Sequence, residues 1–333
     1  MHIKYLPYQP HCFAFGGFEI QILNNLEALS SIGMNVSKMD YWDRSAEFDI
    51  MHCWGLGFPH LENIDWGKKA GKKIVASILL YDYDTVAKRI KFKLSSYISV
   101  QRYLIAMLSK VDAVSVVNEF QADTCHRLYG VPKSKIWVIP NVVDEKYFMS
   151  RTAIKPIADL VSDYVLILGN VCARKNQYLL AEACIKANHQ LLIIGKVMEG
   201  ESVYGDKLQS LVDSNSKITW IKGLKENSNE LLNYYCEAAM IALPSFVEQQ
   251  PLSLLEGAIM GKPLLIADRK YAKQKLYSKA CLVDPSSVDS IICGIQKVYA
   301  NPHIYQQTAK EMEICRAANV AEQYKKLYQS LMQ

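Results

Sequence analysis

Across 333 residues, no apolar run reaches the ~18 that a membrane-spanning helix requires. Met1 to Lys4 leads into a polar stretch rather than into the apolar core of a signal peptide, so neither a spanning segment nor a leader is expected. The nine cysteines (Cys12, Cys53, Cys125, Cys172, Cys184, Cys236, Cys281, Cys293 and Cys315) are odd in number and scattered. None forms a Cys-x-x-Cys pair, which argues against a zinc site or a disulfide framework and points to a reducing cytosol. An excess of one charge is also lacking: 38 basic residues face 33 acidic ones, a net +5. That balance does not mark a nucleic-acid binder, and no nucleic-acid motif accompanies it. Gly-x-Gly-x-x-Gly is absent, so a dinucleotide fingerprint is not supported. No fixed-period repeat or low-complexity tract occurs.

What is present is core material. Half of the chain is apolar and 21% is charged, enough for two domains of ~150 residues each. Short β-branched runs alternate with longer helical segments, the pattern of parallel sheets with crossover helices. In the first half, strands are expected at His2–Leu6, Asp49–Cys53, Lys73–Leu79, Ala113–Val117 and Ile136–Ile139. Helices are expected at about Gly17–Ile32 and Phe120–Leu128, with a long helical stretch before Ala113. A second series opens at Tyr164–Leu168. It continues with strands Gln190–Ile194, Ile218–Ile221, Met240–Leu243 and Pro263–Ala267, and helices Tyr178–Ala187, Asn229–Cys236 and Leu254–Met260. Between the series, Glu145 to Asp163 lacks periodicity and contains Pro156, so the linker is placed there. Two such halves are expected to hold a ligand between them, outside the carboxyl ends of the strands.

Three segments could carry chemistry. Gly16-Gly17, between the first strand and its helix, would let backbone N–H groups approach an anion, or would simply make a tight turn. Gly169-Asn-Val-Cys-Ala-Arg174-Lys175-Asn176 sets two adjacent cations after a strand, suited to a diphosphate, although a solvated basic turn reads the same way. Pro244 to Gly257 places Glu248 in a strand-to-helix loop and Glu256 about one turn inside the helix, with unpaired N–H groups between them. Pro251 fits the first turn, where no donor is needed. A capping carboxylate and a surface glutamate would look alike in isolation.

In combination and in this order, these segments resemble the family 4 retaining glycosyltransferases of the GT-B fold. Supporting stretches are Val138-Ile-Pro-Asn-Val-Val-Asp-Glu-Lys-Tyr-Phe148, Leu243-Pro-Ser245, Gly261-Lys-Pro263 after the Glu248-x7-Glu256 pair, and Leu282-Val-Asp-Pro285. The resemblance runs over nearly the whole chain. It implies an α/β architecture of two Rossmann-like domains facing across a cleft. Residues 1–155 would be the acceptor side, 156–314 the sugar-nucleotide side, and 315–333 a helix packing back on the first domain. It also implies that Glu256 holds the ribose hydroxyls of a sugar nucleotide and that Glu248 contacts the donor sugar. Lys175, with the amides of Leu252 and Ser253, would neutralise the departing diphosphate. Fixed cations and helix N–H groups would then replace a metal ion, so neither metal nor cofactor is expected.

The chain departs from the family pattern at four points. Asn170 stands where an arginine is usual, leaving Arg174 as its substitute. The stretch Ser77-Ile-Leu-Leu-Tyr81-Asp82 carries no histidine, the usual Asn-Gly-Val-Asp is Asn141-Val-Val-Asp144, and Gln249-Gln250-Pro251 replaces a Gly-Phe-Gly-like run. Asp82-Tyr-Asp84 matches a metal-binding Asp-x-Asp by chance frequency and is given no metal role. His52 is read as structural, and His11, ahead of the glycine pair, keeps a possible substrate contact, as does Asn170.

Thr85 to Val111 contains Lys88, Arg89, Lys91, Lys93, Arg102 and Lys110 without a single acid, interleaved with apolar residues such as Ile90, Phe92, Leu94, Tyr97 and Ile98. Such a stretch fits either an anionic membrane surface or a crossover helix with a solvated basic face. The expected protein is therefore a cytoplasmic hexosyltransferase, peripheral on the inner face of the membrane. It would move sugar from a nucleotide-sugar donor to a glycan or lipid-linked acceptor in surface polysaccharide or glycolipid synthesis. The alternatives are a non-catalytic glycan- or partner-binding descendant and a nucleotide-sugar epimerase or hydrolase.

Overall fold

The computed structural model describes residues 1–13, 15–45, 47–80, 86–95, 100–150, 162–225 and 227–333. The chain forms two compact units, Met1–Val142 with Ala317–Gln333, and Val143–Arg316. The chain thus passes between units at 142/143 and 316/317, whereas the reading above sets the linker at 145–163 and the boundary at 155/156, a point outside the described residues. Within that stretch the structure has a helix, Glu145–Ser150, that the sequence reading did not contain. Six residues are too few to display a helical period; Tyr147, fully buried against Tyr235, is what fixes it.

Among the described residues the first unit has strands β1 (His2–Pro7), β2 (Asn35–Lys38), β3 (Ile50–Trp54), β4 (Lys73–Ser77), β5 (Ala113–Val116) and β6 (Ile136–Val138). They form one parallel sheet in the order β2-β1-β3-β4-β5-β6. The second unit has β7 (Tyr164–Leu168), β8 (Leu191–Ile194), β9 (Ile218–Ile221), β10 (Ala238–Leu243), β11 (Leu264–Ala267) and β12 (Cys281–Val283), also parallel, in the order β12-β11-β10-β7-β8-β9. Helices cover the faces of both sheets, so the central strands are buried throughout and read as continuous apolar runs. The edge strands β2 and β12 were missed by the sequence reading. Asn-Val-Ser-Lys has no buried face, and Cys-Leu-Val is only three residues long. In each sheet the winding reverses once, between β1 and β3 and between β10 and β7, and such switch points leave room for ligands at the strands' carboxyl ends.

The helix expected at the end of the chain spans Ala317–Met332 and packs on helix Gly17–Ser31 of the first unit. Leu327 and Val320 provide apolar contact, and two tyrosines enter a buried polar network. The Tyr328 hydroxyl lies 2.7 Å from His52 Nδ1 and 3.1 Å from the Tyr5 hydroxyl, which donates to Asn25 at 2.5 Å. His52 Nε2 meets the Ser77 hydroxyl at 2.7 Å; Ser77 in turn pairs with Ser115, and both lie within reach of the Tyr324 hydroxyl. Burial holds His52 neutral, its imidazolium pKa pushed down to about 3. Its role is structural, as the sequence reading has it. Tyr328→Phe strands His52 Nδ1, takes one of two partners from the Tyr5 hydroxyl, and should cost about 1–3 kcal/mol in urea unfolding. An unchanged midpoint would show that apolar packing alone holds this helix.

Candidate functional site

The switch between β10 and β7 brings together two loops that are 73 residues apart in sequence. After β7 the chain leaves through Gly169 at φ +126°, a conformation that a side chain disfavours. A Cβ there would also lie 3.0 Å from the Lys175 side chain, which folds back over this glycine. A short turn, Ala173–Lys175, follows and ends at Asn176, left-handed at φ 65°. The buried Asn176 amide donates to the carbonyls of Pro244 and Pro285, and the Phe246 N–H donates to the Arg174 carbonyl. The cation-bearing turn is thereby fastened to the loop that leaves β10.

Glu248 lies in that second loop. Its Oε1 accepts from Arg174 at 2.8 Å, from Lys175 Nζ at 3.0 Å and from the Ser245 hydroxyl at 3.2 Å. Among the described residues no donor reaches its Oε2. Burial pushes the carboxyl up, but the charges of Lys175 and Arg174 and their hydrogen bonds outweigh it, and the group stays below its ordinary range. The Lys175 side chain is 11% exposed and that of Arg174 41%, so the lysine faces the protein while the arginine faces solvent. Arg174 also donates to the Val247 carbonyl at 2.6 Å. Asn170 is exposed, and its carbonyl receives the Gln177 amide. The Gln249-Gln250 departure is braced from outside: Gln250 donates to Gln274, and Gln274 donates to the carbonyls of Gln249 and Tyr271.

Helix Leu252–Ile259 starts at Pro251 without a side-chain cap, so among the described residues the amides of Leu252 and Ser253 are first-turn donors that no side chain satisfies. Glu256 sits one turn further on, half-buried. Tyr235 donates to its Oε2 at 2.5 Å. With burial dominant, the Tyr235 hydrogen bond opposing it and no cation close by, the carboxyl is pushed up to about 7. The second unit therefore brings together Arg174, Lys175 and Glu248 by direct contact, and sets Leu252, Ser253 and Glu256 on the helix that follows Glu248. Sequence reasoning missed Tyr235, Tyr147 and Ser245 as members of this neighbourhood. Ser245 lies inside the quoted Leu-Pro-Ser stretch; for the tyrosines no local signal exists, because they arrive from other helices.

Gly16, Gly17 and His11 belong to the first unit. The Gly16 N–H donates to the Glu19 carboxylate at 2.9 Å, so the helix's own acid occupies that donor. Gly17 is exposed, with open space where a Cβ would stand. His11 meets Phe15 edge-on at 5.7 Å, and among the described residues its buried Nε2 has no hydrogen-bond partner. The acid-free stretch forms helices Val86–Ser95 and Val100–Lys110; Thr85, Tyr97, Ile98 and the Asp82/Asp84 pair lie outside the described residues. On the first of these helices Phe92 is buried against Tyr129, while Lys88, Arg89, Ile90, Lys91, Lys93 and Leu94 are exposed. Among the described residues, no helix is long and apolar enough to cross a membrane, and no three His, Cys, Asp or Glu side chains converge as metal ligands.

Glu248 owes its charge to its partners, and this sets the pH dependence of the pair. A carboxyl whose folded-state pKa is depressed contributes stability above its unfolded value, and loses it as pH falls through the folded one. Glu248→Gln should therefore be less stable than wild type by about 1–3 kcal/mol at pH 7. In parallel urea titrations that difference should shrink below pH ~4.5. A difference independent of pH would show that Glu248 is not the charged partner of Lys175.

Comparison with known proteins gives a consistent picture. The model of Glycosyltransferase Family 4 matches residues 19–147, and that of Glycosyl transferases group 1 matches residues 162–301. The chain is 24% identical over 237 residues to an alpha-galactosylglucosyldiacylglycerol synthase of Streptococcus pneumoniae, an alignment covering 67% of this chain and 61% of that protein. Among solved structures it resembles Anabaena HepE in complex with UDP (TM-score 0.75, 12% identity, 99% of this chain and 100% of that one). It also resembles a sucrose-phosphate synthase of Thermosynechococcus elongatus (TM-score 0.73, 16% identity, 100% and 99%). At these identities the structural likeness establishes the fold: two Rossmann-like domains of the GT-B type.

Proposed function

Because the chain belongs to the family 4, group 1 glycosyltransferases, we propose that it transfers a hexose, with retained anomeric configuration, from a nucleotide-sugar to a glycan or lipid-linked acceptor. The observation that carries this reading is the Glu248 cluster. Two cations and a hydroxyl converge on one carboxylate oxygen at the β10/β7 switch, and among the described residues the other oxygen has no donor. Lys175 and Arg174 meet the diphosphate with the Leu252 and Ser253 amides, Glu248 Oε2 accepts a hydroxyl of the donor sugar, and Glu256 accepts the ribose hydroxyls. As the bond from the anomeric carbon to the diphosphate breaks, its electron pair leaves with the nucleotide. The acceptor oxygen bonds to the same carbon, and its proton departs with the products. Fixed cations and helix N–H groups take the growing negative charge, so the step calls for no metal ion. The first unit takes the acceptor.

Support for a nucleotide-sugar donor comes from the UDP bound to HepE, and support for a lipid acceptor from the name of the streptococcal relative. The exposed basic and apolar residues of helix Val86–Ser95 fit an anionic lipid surface, at about 1 kcal/mol per cation close to it. In this reading the protein works at the cytoplasmic face of a membrane that supplies such an acceptor. Replacement of Lys88, Arg89, Lys91 and Lys93 by Gln should lower sedimentation with anionic vesicles and leave the circular dichroism spectrum unchanged. Equal sedimentation at low salt would return this helix to a solvated face.

Lys175→Ala should lower kcat by ~10²–10³, the scale for one preorganised electrostatic contact, with a smaller change in donor affinity. The assay is transfer of labelled sugar to a lipid or oligosaccharide extract, with EDTA present, for each of the common uridine, guanosine and adenosine diphosphate sugars. Full activity in Lys175→Ala would displace the diphosphate from this position. Wild-type protein that binds a donor but never turns it over would instead identify a non-catalytic binder; turnover without any acceptor would identify an epimerase or hydrolase.

A further inference from the structure

Glu256 is held by groups that the transfer chemistry does not touch. Tyr235, on helix Asn229–Glu237, and Tyr147, on helix Glu145–Ser150, are fully buried, with their rings edge to face at 5.7 Å. The Tyr235 hydroxyl donates to Glu256 Oε2 and lies 3.3 Å from the Ser253 carbonyl oxygen, so one hydroxyl spans the first turn of helix Leu252–Ile259. Among the described residues no donor reaches Oε1. The Tyr147 hydroxyl is buried beside the same carboxylate, and among the described residues it makes no hydrogen bond of ordinary length and angle. Burial first, and then the Glu256 carboxylate, push its proton release far up, so it remains a hydroxyl donor facing an acid. The ionisable groups that act on Glu256 are these two tyrosines and Asp144, with no cation among them. Glu248, one loop away, has the opposite arrangement.

We infer that Tyr235 and Tyr147 are positioning residues for Glu256: Tyr235 anchors the carboxylate through Oε2 so that Oε1 is presented to a vicinal diol, and Tyr147 holds a second donor beside the carboxylate for its charged form. The inference rests on the reading that the ligand is a nucleotide whose ribose reaches Glu256. Its physical content is a coupling of binding to protonation. A diol donates two hydrogen bonds, so it selects the carboxylate over the carboxylic acid, and binding releases a proton to solvent wherever Glu256 is protonated in the free protein. With that carboxyl pushed up to about 7, diol binding should strengthen as pH rises through neutrality. Loss of the Tyr235 hydroxyl removes a bond to the charged form. It should move the midpoint upward, weaken binding at pH 7, and be partly rescued by alkali. A tyrosine that merely fills space would not shift a pH midpoint.

The experiment is calorimetric titration between pH 5.5 and 9 with uridine diphosphate and with its 2′,3′-dideoxy analogue. Where uridine diphosphate does not bind, the guanosine and adenosine pairs replace it. Wild type should prefer the diol about tenfold or more at pH 8, and that preference should fade below neutrality. Tyr235→Phe should bind the diol about tenfold more weakly at pH 7, with a midpoint about one pH unit higher. Tyr147→Phe, which removes the more loosely placed of the two hydroxyls that act on the carboxylate, should shift the midpoint in the same direction by less. It carries the test alone if Tyr235→Phe does not fold by circular dichroism. Unshifted midpoints in the folded variants, with wild type still preferring the diol, would overturn the positioning role and leave the nucleotide reading intact. A wild type indifferent to the diol, or one that binds none of the three diphosphates, would overturn both.

Discussion

One carboxylate oxygen, Oε1 of Glu248, joins the halves of the candidate site in the second unit. Everything it needs is a consequence of strand order. Because β7 and β10 are neighbours in a parallel sheet, their carboxyl ends emerge side by side, and the loops that follow must share the space above them. The first loop delivers two cations and the second delivers the acid. Neither charge would be comfortable there alone, since a buried charge without a partner costs several kcal/mol. The glycines at these strand ends make the approach possible. Gly169 leaves room for the Lys175 stem, and a Cβ on Gly195, after β8, would fall 2.1 Å from the Gly169 carbonyl oxygen.

The two glutamates show how environment assigns different work to identical side chains. They are eight positions apart in the sequence, close to the start of one helix, and both lose solvent. Glu248 loses it to two cations and stays charged. Glu256 loses it to tyrosine hydroxyls and is balanced near neutrality. Two carboxyls with separated proton affinities are the arrangement from which distinct roles can be read. Here the one held low lies against Lys175 and Arg174, and the one pushed up lies beside tyrosine hydroxyls.

Much of this was legible in the sequence because it resides in local runs. The buried strands are continuous apolar segments, and the turn after β7 and the loop after β10 are marked by Gly169, Arg174-Lys175 and Glu248-x7-Glu256. What escaped has no local signature. The edge strands are too polar or too short, helix Glu145–Ser150 has under two turns, and Tyr235 and Tyr147 are brought to Glu256 by packing between helices. The glycine pair shows the converse. Gly16-Gly17 reads as a place for an anion or as a tight turn, and in the fold the Gly16 N–H donates to Glu19, three residues along its own helix. A motif identifies a donor; only the fold shows whether the donor is in use. The acid-free stretch before Ala113 falls between these cases, since its helices form while part of it lies outside the described residues.

The replacement of the family's arginine by Asn170 has a geometric counterpart. Asn170 is solvent-exposed and makes no charge available, while Arg174 stands four positions later in the same turn. Its Nη1 donates to both the Val247 carbonyl and Glu248 Oε1, which fixes the guanidinium against the loop that follows β10. A guanidinium has five N–H donors in a planar fork, and among the described residues those of its other two nitrogens have no acceptor. Arg174 therefore need not abandon Glu248 to meet a phosphate, and Lys175, with three donors and one of them on Glu248, is in the same position. Within the proposed reaction, the cations that receive the leaving group are the cations that keep Glu248 ionised. A diphosphate would meet their remaining donors while a sugar hydroxyl reaches Oε2, so the acid would keep its cations and gain a donor without ever being left buried and alone. In that proposal a single carboxylate would anchor the cations through one oxygen and contact the sugar through the other.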